Sequence, residues 1–155
     1  MGKGSNFEGG HRVPYIVRWP NKIAAGSESD QIITLADTLA TTAGFLEKKL
    51  PNSAGLDSFD MSPVMLGRKL DKPRNTAILQ TSKGALAFRQ GNWKIRFSKP
   101  TNWHGAKPEL PEKGPELYHL SKDPGEQNDL SKKNPERVKE MSKRLEDLLK
   151  QGRSR

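Results

Sequence analysis

Between residues 76 and 98 the sequence changes period, and this stretch constrains the fold more than any other. TAILQTS, ALAFRQ and WKIRFS are short runs rich in β-branched and aromatic residues, with SKG and QGN at their junctions. They read as three strands. The third alternates Trp93, Ile95 and Phe97 with Lys94, Arg96 and Ser98, which predicts one buried and one wet face. Gly91-Asn92 suits a tight hairpin turn. A fourth run, ELYHL, follows a Pro-rich loop over residues 99–115, and Asp123-Pro124-Gly125-Glu126 then places Pro and Gly at the centre of a β-turn, as type II requires. The chain closes with a helix predicted to start near Asn134-Pro135, where Val138, Met141, Leu145 and Leu148 form an apolar stripe. The fold class expected is α+β: a small antiparallel sheet packed by a C-terminal helix.

The earlier part of the chain reads differently. Residues 13–19 (VPYIVRW) predict a short, mostly buried strand bounded by prolines. Residues 21–30 form a polar loop. ITLADTLATTAGF predicts a helix capped at Thr34, with Asp37 three residues on, Gly44 as its stop, and Leu35, Leu39 and Ala43 on the packed face. Residues 47–75 read as loop with at most one helical turn. One strand with no partner in sequence cannot make a sheet, so this part is expected to be incomplete by itself.

Hydrophobic residues make up only 32% of the 155, with 14 Gly and 11 Pro, which bounds the core to a modest size. No apolar run is long enough to cross a bilayer. No apolar leader is visible, so any export signal is expected outside this chain. The absence of cysteine removes disulfides, thiolate metal sites and cysteine nucleophiles. A net charge of +9 suits either a polyanion partner or lysines on solvated faces.

The chemistry-bearing residues cluster at the start. Lys3 stands between Gly2 and Gly4, displayed rather than packed, just ahead of Glu8-Gly9-Gly10-His11-Arg12-Val13-Pro14. These blocks resemble a signature of the type I sulfatases, the arylsulfatase family. The resemblance continues in order through Arg18-Trp19-Pro20, TLADTLATTAG, Leu56-Asp57 to Met61-Ser62-Pro63, Arg89 to Lys94, and Glu116-Leu117-Tyr118 to Asp123-Pro124-Gly125-Glu126. It covers nearly the whole chain.

The resemblance implies a sulfuric ester hydrolase with an alkaline-phosphatase-like α/β domain. Residues 1–70 would be the incomplete C-terminal tail of that catalytic domain, and residues 71–155 a C-terminal α+β subdomain. It implies a formylglycine nucleophile made from Cys or Ser in a C/S-x-P-x-R motif, and calcium or a similar divalent cation held by Asp and Asn oxygens. Lys3 matches a family lysine whose ammonium contacts the substrate sulfate. His11 lies in the signature block, with packing and the active-site rim both open to it. His104, beside Trp103 in the long loop, either touches substrate or covers the sheet. Glu8 is expected to tie down the glycine turn, Arg12 to serve as an ion-pair partner, and His119 to be a structural or surface residue.

The departures matter equally. No serine begins an S-x-P-x-R run, and Lys133-Asn134-Pro135-Glu136-Arg137 has lysine where the nucleophile belongs. The paired aspartates and the Asp-Asn metal ligands of the family are absent as well. The expectation is a C-terminal sulfatase portion, inactive alone, whose partners are a sulfated small molecule or glycan and the missing N-terminal catalytic half. Family resemblance implies a periplasmic, secreted or lysosomal setting, with no membrane partner. The alternative is a non-catalytic basic module holding a sulfated glycan or nucleic acid. Against nucleic acid, no RNP-like, helix-turn-helix or zinc-finger pattern occurs, and aromatics for base stacking are few.

Overall fold

The computed structural model describes residues 3–98 and 114–155. They form two compact units interleaved in sequence. One holds residues up to Val13 together with Thr76–Gln151; the other holds Pro14–Asn75 with Gly152–Arg155.

In the first unit all four strands form. β1 (Thr76–Gln80), β2 (Leu86–Gln90), β3 (Trp93–Arg96) and β4 (Glu116–His119) make an antiparallel sheet in the order β1-β2-β3-β4. Gly91 turns the β2–β3 hairpin at φ +58°, a left-handed conformation that glycine adopts without strain. The register sets Phe88 against Ile95 and Ile95 against Leu117, so three apolar side chains line up across one face. The long helix Pro135–Gln151 presents Met141, Leu145 and Leu148 to that face, and these residues with Leu86, Phe88, Ile95, Phe97 and Leu117 form a single buried cluster. Trp93 packs at its edge, with Arg137 over the indole at 4.9 Å and His119 edge-on at 4.5 Å, which makes His119 structural. Ile95 is fully buried. Ile95→Val is therefore expected to cost about 0.5–1.5 kcal/mol, read as a lower denaturant midpoint at constant slope.

The second sheet face departs from the alternation. Lys94 has no exposure, and the Arg96 side chain retains 14%. This face is not wet, because residues 6–11 lie on it. The turn after β4 differs too. Glu126 N–H donates to Asp123 O at 3.1 Å, closing the turn, yet the positive φ falls on Glu126 (+52°) and not on Gly125, so the turn is not type II. The N–H groups of Asn128 and Gln127 bond the Asp123 carboxylate and hold its pKa below the ordinary value.

The second unit contains a 3-10 turn (Leu35–Asp37), a helix (Thr38–Phe45) and a single helical turn (Ser62–Met65). The helix does not bury its leucines: Leu35 is 74% and Leu39 51% exposed, while Ala40, Thr41 and Ala43 are buried. Asp37 decides this orientation. Its carboxylate is fully buried, ion-paired to Arg74, and accepts the N–H groups of Thr34 (2.6 Å) and Phe59 (3.0 Å). Satisfying that charge turns the alanine side inward. Gly44 is not a stop. It lies inside the helix, where an added Cβ would meet the Asp60 carboxylate at 2.4 Å.

Residues 13–19 do not form a strand. They carry no regular secondary structure, with Ile16 89% exposed and Tyr15, Val17 and Trp19 also exposed. Among the described residues nothing hydrogen-bonds the backbone of residues 13–18. A strand exists only as a member of a ladder, so β-propensity without a partner leaves an irregular, exposed segment.

Candidate functional site

The turn of residues 3–11 is built by glycine and held by its neighbours. Gly4 takes φ +88°, and its N–H donates to Gly10 O at 3.3 Å, closing a small loop. An added Cβ at Gly10 would stand 2.2 Å from Ser5 Oγ and 2.4 Å from Ser5 O, so only glycine permits this approach. The short helix α1 (Glu8–His11) follows. Lys3 is exposed at the head of the turn, and among the described residues no hydrogen bond or ion pair engages its ammonium.

Behind the turn, each residue from Asn6 to His11 except the glycines grips the sheet. Asn6 Nδ2 donates to Leu86 O (2.9 Å) and Phe97 O (3.0 Å), while its Oδ1 accepts from Arg96 Nε (2.8 Å). Phe7 lies under the Arg96 guanidinium at 3.8 Å and near the Tyr118 ring. Arg96 also pairs with Glu116, whose Oε2 accepts the Tyr118 hydroxyl proton at 2.9 Å. Burial and that carboxylate push the Tyr118 phenol well above its usual range.

At the centre sits Lys94. Its Nζ lies 2.9 Å from Glu8 Oε1, 2.9 Å from Glu126 Oε1 and 3.2 Å from His11 Nε2. The Glu8 N–H donates to the other Glu126 oxygen. Arg12 Nε stands 3.4 Å from Glu8 Oε2, so two cations face two carboxylates. Burial raises the Glu8 pKa, but hydrogen bonds from His11 and Lys94 and the lysine's charge outweigh it and bring it to about 2. At neutral pH Glu8 is thus an ionised clamp, not a proton donor. That matches the sequence expectation for Glu8, and Arg12 is likewise an ion-pair partner.

Of the sequence-predicted site residues, Lys3 and His11 fall on the same turn. His11 is half-buried against Lys94 and Glu8, which favours packing over a free rim position. His104, with Trp103, lies outside the described residues. Lys94 and Glu126 were missed. Alternation assigned Lys94 to solvent, and nothing local marks a lysine that two distant carboxylates will meet. A usable signal was the glutamate in each of two glycine-containing turns, EGG and PGE, on a chain with basic strand faces.

Among the described residues no group of three or more His, Asp or Glu side chains could hold a metal ion. The residues present therefore do not fit a calcium site by themselves. The second unit has an open cavity of about 650 Å³ lined partly by Tyr15, Ile16 and Val17 with Met61 and Met65, and it gathers no catalytic constellation.

A family model described as the C-terminal region of aryl-sulfatase matches residues 73–155. An N-acetylgalactosamine-6-O-sulfatase of Bacteroides thetaiotaomicron is 35% identical over 150 residues, spanning 95% of this chain and 29% of that protein. Human arylsulfatase A is 35% identical over 144 residues, or 83% of this chain and 28% of that protein. Among solved structures, a Bacteroides thetaiotaomicron protein from work on the metabolism of multiple glycosaminoglycans superposes with a TM-score of 0.78 at 34% identity, covering 95% of this chain and 31% of its own. The chain thus spans less than a third of the length of the relatives it matches.

Proposed function

The chain belongs to the sulfatase family as a C-terminal region, and from that premise we propose that it is the part of a sulfuric ester hydrolase that presents Lys3 to the substrate sulfate. The observation that carries this reading is the glycine turn clamped to the sheet with an unengaged lysine at its head. An ammonium fixed in this way stabilises negative charge on the sulfuryl oxygens and costs no reorganisation during reaction. His11 braces the turn beside Lys3, and His104 supplies a further substrate contact.

In that enzyme residues 1–70 complete the catalytic domain and residues 71–155 form the C-terminal subdomain. The remaining N-terminal half brings the nucleophile and the carboxylates for a divalent cation, which as a Lewis acid polarises the sulfate. Its sheet covers the apolar residues 13–19. The substrate is a sulfated glycan. Relatives named N-acetylgalactosamine-6-O-sulfatase and N-acetylgalactosamine-6-sulfatase make a 6-O-sulfated amino sugar the first ester to assay. The setting is periplasmic, secreted or lysosomal; among the described residues no helix is long and apolar enough to cross a membrane.

The test uses an aryl sulfate and N-acetylgalactosamine 6-sulfate, each with calcium. The whole enzyme is expected to release sulfate from at least one, and the isolated chain from neither. Product formed by the pure chain, surviving repurification, would overturn the fragment reading. A whole enzyme inert toward both esters and toward a panel of sulfated glycans would overturn the sulfatase reading. A polyanion-binding module is the weaker alternative. On the terminal helix cations alternate with carboxylates, as in the Lys143–Asp147 pair at 3.1 Å, and no single-sign stripe forms there.

A further inference from the structure

We infer that Lys94, together with Glu8 and Glu126, is a positioning group for Lys3: a buried ammonium that sets where the turn stands, without itself touching substrate. The inference rests on the reading of Lys3 as the sulfate contact.

A lysine on a sheet face normally keeps its ammonium in water. Lys94 does not; it is fully buried on β3 and has surrendered hydration to two carboxylates. Burying such a group is costly compared with an apolar side chain of similar size, so stability alone is a poor reason for it. What the ammonium gives is direction. It joins two segments distant in sequence, the turn carrying Glu8 and the turn carrying Glu126, at one point on the sheet. Glu126 is held in the left-handed region (φ +52°), which a non-glycine residue adopts only when its surroundings insist. In that conformation one of its oxygens meets Lys94 and the other accepts the Glu8 N–H.

The route from this point to Lys3 is short and stiff. Glu8 is five residues from Lys3, and Asn6 between them is pinned to two sheet carbonyls. The Gly4 N–H to Gly10 O bond closes the loop over α1. A displacement of Glu8 moves α1 and, through the Gly10 carbonyl, the Gly4 amide beside Lys3. Misplacing a charge by about an ångström at a reacting centre costs up to about a hundredfold in rate.

The experiment is a double-mutant cycle in the whole enzyme, with Glu126→Gln placed in the wild-type and Lys3→Ala backgrounds. Glutamine keeps the shape and an acceptor oxygen but removes the charge that opposes Lys94. With the melting temperature above assay temperature, Glu126→Gln is expected to lower kcat/KM about tenfold in the wild type and less than about twofold in Lys3→Ala. Equal factors in both backgrounds, or no loss in either, would overturn the positioning role. If Lys3→Ala alone is silent, the sulfate reading of Lys3 fails first and the inference falls with it. Glu8→Gln serves as a second variant should Glu126→Gln not fold. Hydrogen exchange on the wild type needs no variant: the Glu8 and Gly10 amides should exchange as slowly as those of β3, and free-chain exchange at both would exclude a clamped turn.

Discussion

Lys3→Ala in the whole enzyme is expected to lower kcat/KM by roughly a hundredfold or more, about 2–4 kcal/mol of transition-state stabilisation, by analogy with removal of a single oxyanion donor. Stability should change by no more than about 0.5 kcal/mol, because the side chain is exposed and, among the described residues, unengaged. The separation of the two effects follows from the architecture. Asn6, Phe7 and Glu8 grip the sheet, whereas Lys3 projects beyond the grip. Steady-state kinetics on wild type and variant, with a melting curve for each, decide the matter. Unchanged kcat/KM in a normally folded variant would reduce Lys3 to a surface lysine and remove the chain's contribution to the chemistry.

What the sequence made legible was whatever depends on local pattern. Alternation and hairpin chemistry located the four strands, and the stripe of Val138, Met141, Leu145 and Leu148 located the helix that covers them. These elements are adjacent in sequence and satisfy one another. Three other readings failed for a shared reason: each depended on a distant partner. Lys94 was assigned to water because periodicity reports which side of a strand a residue faces, not what lies on that side. The buried charge of Asp37, answered by Arg74, turned the Thr38–Phe45 helix against its own leucine pattern. Residues 13–19 have the composition of a strand but no ladder to join among the described residues. The turn bearing Lys3 was found by resemblance; how the sheet holds it was not, since Asn6 reaches carbonyls 80 and 91 residues away.

Lys94→Met carries the largest expected effect on stability. The substitution keeps most of the volume and removes the ammonium, leaving Glu8 and Glu126 buried with Arg12 and His11 as the remaining cationic or polar neighbours. Breaking a buried pair by deleting one partner costs about 3–5 kcal/mol, because the charge left behind stays desolvated. The pH dependence identifies that cause. In the wild type Glu8 titrates at about 2 when folded, below its ordinary value of 4.5. It therefore adds stability at pH above 4.5, and that contribution is lost as the pH falls from 4.5 through about 2. In Lys94→Met the ammonium's share of that lowering is lost while that of His11 remains, so the variant's defect should be greatest near neutrality and shrink as the pH falls below 4.5. Denaturant midpoints of both proteins from neutrality down to about pH 2 test this. A defect that is the same at every pH would mean that Lys94 contributes packing alone. A defect that shrinks in acid would show that the cost lies in the Glu8 charge that the ammonium had answered.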